Sequence, residues 1–420
     1  MEKVKIGLFG CGRGGFVKTY CLAAENAEIV AICDKVFKTQ EIPDDGITYY
    51  TDFDEFIKHD MDGVVLANYA NEHAPFAVKA MKAGKHVMSE VLPAQTLKQA
   101  IELIEAVEET GMIYAYAENY CYMPAPREMK RLYGDGELGT FEYGECEYIH
   151  NCEPLWCMIQ DGPDHWRNNI HANFYCTHSI GPIVHITGMR PVKVTGFELP
   201  ANTRTYRMGR KNGAAGIEML TMENGSVVKS VHGGLCKDSV WYCIYGSKGR
   251  MESEREDIRE GEYAVCTFRK NIDLFEGECE DHIETYRPID ALTEKAKGFG
   301  HGSSDFYTMY NFVEKIKGNP EADIIDVYEA MDMFLPGVFA YRSVLSGGIP
   351  MEIPNFRNKE EREKYRNDVA CNDPKVAGDQ LQPSYSKGTV EIPMEIYENM
   401  ASPENIARYE RYMKKETSKV

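Results

Sequence analysis

The sequence predicts an α/β and α+β chain in two parts. An N-terminal doubly wound parallel sheet comes first, and an open, largely antiparallel mixed sheet follows. Three observations carry the prediction. Up to about residue 123, short apolar runs alternate with amphipathic helical stretches. Strand-like runs then succeed one another without intervening helices. A length of 420 residues also exceeds the ~250–300 at which one hydrophobic core stops growing.

Residues 4–9 read as a buried strand that breaks at once into glycines. Gly10, Gly12 and Gly15 stand at G-x-G-x-x-G spacing, with Arg13 and Gly14 inside it. In that spacing the first glycine makes a tight turn, the second admits a pyrophosphate, and the third packs helix on strand. The following helix turns its free N–H groups toward the phosphates. A second strand, 27–33, ends on Asp34, about 20 residues on, where a carboxylate accepts from a ribose hydroxyl. This is a Rossmann dinucleotide pattern. Asp34 favours NAD, because it repels a 2′-phosphate, although Lys35 beside it keeps NADP open. A short helix over 52–59, a strand over 63–67 and a helix over 72–83 closed by Gly84 come next. A strand at 86–89, a helix from the Thr96 cap to Thr110 and a fifth strand at 112–116 complete the alternation.

Beyond Pro124 and Pro126, strands are expected at 141–149, 192–198, 217–222, 226–232, 241–245 and 263–268. Hairpin turns fall at 223–225 and 246–249. The segment 150–191 reads as loop plus helix, and helices return over 304–317 and 325–346. The expected divisions are a Rossmann domain at 1–123, a substrate and oligomerisation domain at 124–354, and a C-terminal arm at 355–420 with a helix over 403–415. A broad sheet with few helices to cover its outer face predicts a homo-oligomer, dimer or tetramer.

Composition narrows the partners. A net charge of −19 argues against a nucleic-acid partner, which needs a basic face. No apolar run reaches the ~18 residues of a membrane span, and no leader pattern precedes the first strand. The 13 cysteines are odd in number and scattered, which points away from disulfides or structural zinc and toward the cytoplasm.

Candidate site residues follow from chemistry and spacing. Tyr175 and His178 are three apart and share a face if helical, as a proton-transfer pair or as packed core groups. His171, His178 and His185 recur every seven residues, about 10 Å apart per step on a helix, too far to share an ion; no metal is expected. His165, Trp166, Arg167 and Asn168 combine a flat aromatic with polar side chains, as sugar sites do and as ordinary ordered loops also do. Tyr120 and Tyr122 are expected to face the same crevice from the end of the fifth strand. The run from His301 to Asp305 reads as a helix-capping signature.

The glycine loop, Asp34, the loop from Ala67 to His73, and Gly84-Lys85-His86-Val87 leading to Glu90 together resemble the glucose–fructose oxidoreductase, inositol dehydrogenase and MocA family. The resemblance spans residues 3–350. It implies a nicotinamide cofactor held by Gly10, Gly12, Arg13, Gly14, Gly15, Asp34, Asn68, Asn71, His73, Glu90 and Asn119, and a small sugar or glycoside as substrate. The family's Glu-Lys-Pro becomes Glu90-Val91-Leu92, so its proton-shuttling lysine is absent. Phe174 replaces an aspartate four residues before the retained His178. These changes, with Tyr175-x-Thr177-His178-x-x-Gly181-Pro182, look like the NAD-dependent glycosidases, α-N-acetylgalactosaminidases included. There the implied route is oxidation at C3, elimination at C1, water addition and re-reduction, with Tyr175 and His178 as the catalytic pair. Some relatives only oxidise and pass the keto-glycoside to a lyase. A non-catalytic NAD-linked regulator is the alternative of another class.

Overall fold

A computed structural model describes residues 2–255, 266–270, 282–400 and 402–417. The chain forms two compact units that are not continuous in sequence. The first comprises Met1–Pro124, Ile289–Phe334 and Asn355–Asp368; the second comprises Ala125–Pro288, Leu335–Pro354 and Val369–Val420.

In the first unit, strands β1 (Val4–Phe9), β2 (Ala27–Cys33), β3 (Thr48–Tyr50), β4 (Gly63–Leu66), β5 (His86–Ser89) and β6 (Tyr114–Tyr116) form one sheet. Its order is β3-β2-β1-β4-β5-β6 and every pairing is parallel. That is the doubly wound order, and it reverses between β1 and β4, where such sheets bind ligands. β3 was absent from the sequence-based expectation, because three residues after a turn carry no readable period; the strand at 114–116 is therefore the sixth. Thr96 caps the helix Leu97–Thr110 through Gln99 N–H, and Gly111 closes it at φ 66°. The returning segments belong to this unit and send side chains into its interior. Phe312 and Ile316, on the helix Ser304–Ile316, lie against Gly63, where an added Cβ would meet them at 3.1 Å. Arg362, 2% exposed, bonds Glu108 at 2.8 Å.

In the second unit, β7 (Phe141–Ile149), β8 (Pro191–Glu198), β9 (Ala215–Met222), β10 (Val227–Gly233), β11 (Ser239–Gly246), β12 (Gly249–Ser253), β13 (Cys266–Lys270), β14 (His282–Tyr286) and β15 (Met351–Glu352) form a mixed sheet. The order is β14-β13-β12-β11-β7-β10-β9-β8-β15. β7 and β10 pair in parallel and the other neighbours antiparallel. Both predicted hairpin turns are present, with Gly225 at φ 88°. Residues 263–265 of the expected sixth strand lie outside the described residues. The helix Thr177–Thr187 is buried on one face of the sheet. Phe197, Met219, Val227 and Tyr245 are exposed on strands of this sheet, and the expectation of a homo-oligomer rests on that surface.

Candidate active site

The first unit's glycine loop shows what each glycine does. Gly10 has φ 99°, and a Cβ there would lie 2.5 Å from the Ala67 carbonyl oxygen, so this turn accepts no side chain. Around Gly12 there is open space, which leaves room for a ligand. The packing glycine is Gly14 and not Gly15, a correction to the spacing argument. A Cβ on Gly14 would meet Leu8 at 2.5 Å, whereas Gly15 has nothing within 4 Å. The helix already begins at Cys11, which turns position 14 toward the sheet.

Asp34 ties this loop to the end of β2. It accepts from Cys11 N–H at 2.7 Å and from Val36 N–H at 3.0 Å. Lys35 lies over the Tyr69 ring, 4.5 Å from its centre. The side-chain oxygens of Asn68 and Asn71 are buried and make no hydrogen bond among the described residues. An open glycine position, a carboxylate at the β2 end and two orphaned amide oxygens fit a bound dinucleotide. His73 is different: it is 1% exposed, with Nδ1 2.9 Å from the Leu92 carbonyl oxygen, and burial lowers its pKa to about 4. It is therefore a neutral brace beneath the loop that carries Glu90.

Arg13 joins residues far apart in sequence. It binds Asp305 through two nitrogens, at 2.6 and 3.0 Å, and Glu90 at 2.9 Å. Asp305 also accepts from Asn119 at 3.3 Å and faces His301 Nδ1 at 3.0 Å. Burial pushes the Asp305 carboxyl up, but His301 and Arg13 outweigh it and hold the group well below the usual carboxylate range. The capping signature expected at 301–305 is not what forms. Ser303 sits at φ 68° without a side-chain cap bond, and Asp305 is spent on Arg13. Tyr120 packs edge-on to His301, while Tyr122 turns inward and donates to the Asp323 carbonyl at 2.9 Å. The two tyrosines do not share a crevice, because the chain leaves β6 as a 3-10 turn over Asn119–Tyr122 and not as strand.

The second unit holds the acid–base candidates. The helix begins only at Thr177, so Tyr175 lies in the turn before it and the three histidines form no helical stripe. His171 instead stacks on Tyr341, and His185 meets Lys130 Nζ at 2.8 Å. Tyr175 and His178 nevertheless come together, their rings stacked at 5.7 Å. Arg167 donates to the Tyr175 hydroxyl at 2.8 Å, and its guanidinium lies 4.3 Å over the Trp166 ring. Burial raises the Tyr175 pKa, and Arg167 pulls against it. Tyr148 packs on His178 at 4.5 Å, and Tyr242 donates to the His178 carbonyl at 2.6 Å. Beneath this turn, Asn173 bonds Glu218 at 3.3 Å and Ser179 meets Ser230 at 2.7 Å, fixing the backbone on the sheet.

Two of the predicted sugar contacts are loop braces. His165 caps the short helix Trp166–Asn169 by accepting from Arg167 N–H. Asn168 is fully buried, donating to Gly162 O at 2.7 Å and Gln160 Oε1 at 3.2 Å and accepting from Trp156 at 3.1 Å. Sequence reasoning missed Tyr148, Arg210 and Asp238. His150 Nδ1 stands 3.3 Å from Asp238, and although burial opposes its charging, Asp238 and Cys152 raise its pKa to about 10. The run Arg204, Arg207, Arg210, Lys211 in so acidic a chain was the available signal. Among the described residues no group of three His, Cys, Asp or Glu side chains is placed to hold a metal ion, and no helix is long and apolar enough to cross a membrane.

Known proteins add the family. Residues 4–118 match the oxidoreductase family with NAD-binding Rossmann fold, and residues 242–362 match the glycosyl hydrolase 109 C-terminal domain. A glycosyl hydrolase family 109 protein of Shewanella sp. (strain ANA-3) is 34% identical over 403 residues, covering 85% of this chain and 86% of its own. This chain belongs to glycosyl hydrolase family 109. Another family 109 protein, from Solibacter usitatus, is 26% identical over 84% of this chain and 88% of its own. The α-N-acetylgalactosaminidase of Tannerella forsythia is 25% identical over 80% of this chain and 82% of its own. Among solved structures, an oxidoreductase domain protein from Kribbella flavida aligns at TM-score 0.67 and 18% identity, over 84% of this chain and 100% of its own. A levoglucosan dehydrogenase solved with NADH and L-sorbose aligns at TM-score 0.65 and 17% identity, with the same coverage. These two share the fold. The family 109 chain is thus an NAD-dependent enzyme with a Rossmann cofactor domain, and the regulator alternative falls.

Proposed function

We propose that this family 109 enzyme oxidises a ring hydroxyl, at C3, of a sugar or glycoside and uses the ketone to exchange the C1 substituent, leaving the cofactor unchanged over the cycle. The row Arg167, Tyr175, His178 carries the reading: a phenol held by a guanidinium and stacked on an imidazole is an acid–base pair. NAD, when bound, accepts a hydride and gives it back. Gly12 leaves room for its pyrophosphate, and Asp34, Asn68 and Asn71 offer acceptors to its hydroxyls. Tyr175 and His178 take the proton of the oxidised hydroxyl and the acidified proton at C2 and give one to the departing C1 oxygen; after taking one from the water that adds at C1, they return the rest to C2 and to the C3 oxygen. Arg167 lowers the cost of a phenolate at Tyr175. Because departure follows from a ketone-stabilised carbanion, a pair of carboxylates flanking C1 is unnecessary.

The Tannerella relative's name makes α-N-acetylgalactosaminides the first substrates to try. Hydrolysis should require NAD, show no net reduction, and exchange the C2 hydrogen for solvent deuterium. Tyr175→Phe and His178→Ala should each slow turnover by ~10²–10⁴-fold. Accumulation of a keto-glycoside with NADH would instead assign the oxidation alone. Hydrolysis without NAD, or without C2 exchange, would overturn the redox route.

A further inference from the structure

The second unit buries positive charge that its own carboxylates do not balance. Arg210 is 7% exposed, lies 5.3 Å over the Trp156 ring and donates from Nε to Asn212 at 3.1 Å. Among the described residues neither Arg210 nor Arg167 has a carboxylate within ion-pair distance. Gly234 makes room for the Arg210 guanidinium, since a Cβ there would lie 2.5 Å from it. Around these two stand Arg204 and Arg207, which share the single carboxylate of Glu153, and His150, which faces Asp238. Among the described residues, five cationic groups of this cluster thus meet two carboxylates. Cys152 is the remaining acidic group: burial raises its pKa, but His150, Arg210 and Arg167 bring it below the ordinary thiol value. Even as a thiolate it would leave two charges over.

Burying an unpaired guanidinium costs several kcal/mol, so such a site is kept where a ligand supplies the counter-charge. Tyr175, the candidate acid–base, is close enough to Arg210 and Arg167 to feel both. The planar forks of two unbalanced guanidiniums match oxyanions better than neutral hydroxyls.

We propose that Arg210 and Arg167 form a subsite for an anionic oxygen group on the sugar, a carboxylate or a sulfate ester, so that this enzyme's substrates are acidic glycosides. The proposal rests on the sugar reading above and narrows it. Tryptophan fluorescence offers a readout independent of turnover, because Trp156 and Trp166, two of the chain's three tryptophans, lie under the two guanidiniums.

The NAD-loaded full-length protein is titrated with a methyl hexuronoside, a methyl hexoside 6-sulfate and the parent neutral hexoside, each in gluco and galacto forms. At least one anionic sugar should bind about 10- to 100-fold more tightly than its neutral parent, the worth of a charge-assisted hydrogen bond. Preference for the uronoside or for the sulfate identifies the group. Arg210→Met should abolish the preference. Should that variant fail to fold by circular dichroism, Arg210→Lys keeps the charge, loses the fork and should still reduce the preference. Equal binding of anionic and neutral sugars, or a preference untouched in a folded Arg210 variant, overturns this proposal and leaves the sugar reading standing. Binding of no sugar at all overturns both.

Discussion

Arg13 in the first unit and Arg210 in the second are both held by the fold, yet their charges are handled in opposite ways. Arg13 has two carboxylates, Asp305 and Glu90, within 2.9 Å, although a third of its side chain is exposed. Arg210 is far more buried and has none among the described residues. The difference separates an arginine that closes a structure from one that waits for a ligand. A satisfied ion pair ties the helix Ser304–Ile316 to the glycine loop, whereas an unsatisfied cation is a standing cost that binding relieves.

Removing each arginine should therefore have opposite signs. Arg13→Met strands Asp305 and Glu90 in the interior and should lower stability by about 3 kcal/mol, the low end for breaking a buried pair. Arg210→Met, losing a bond to Asn212 and the contact with the Trp156 ring but stranding no carboxylate, should be neutral or stabilising. Urea denaturation of the two variants checks this; equal losses would erase the distinction. A smaller effect is expected at the cofactor end. Asp34→Ala gives up a charged acceptor worth roughly 1.5–3 kcal/mol and should weaken NAD binding while narrowing its advantage over NADP, read by calorimetry. Unchanged affinities for both would remove Asp34 from the ribose site. The smallest contrast lies within the glycine loop. Gly14→Ala overpacks against Leu8 and should cost about 1–3 kcal/mol. Gly15→Ala, in open space on a helix, should be neutral or gain up to ~1 kcal/mol. Thermal melts that rank them the other way would restore the textual reading of the motif.

What the sequence made legible was local. Periodicity located five strands of the first sheet and six of the second, missing β3, β12, β14 and β15, and the glycine spacing with Asp34 marked the cofactor loop, because each signal lies within a few turns of chain. Tyr175 and His178 do lie against each other, though a turn and not a helix brings them together. The errors have a common physical source. His165 and Asn168 were read as sugar contacts from their chemistry, but polar side chains in a loop first satisfy nearby backbone groups. The Arg13–Asp305 pair spans 292 positions, and no local pattern announces a partner at that distance. The unbalanced cations at Arg167 and Arg210 depend on which carboxylates the fold withholds, a fact no motif records.

The path of the chain through the first unit sets an order on its birth. The glycine loop leaves the ribosome almost at once, but Asp305 is made 292 residues later, and Arg362, which locks onto Glu108, later still. At ~5–20 residues per second, the cofactor domain waits on the order of 15–60 s with Arg13 holding only Glu90 of its two carboxylates and the Gly63 surface uncovered. For that interval the nascent sheet exposes apolar surface that the finished unit buries. NAD can bind to a finished domain only after most of the second unit has already been synthesised.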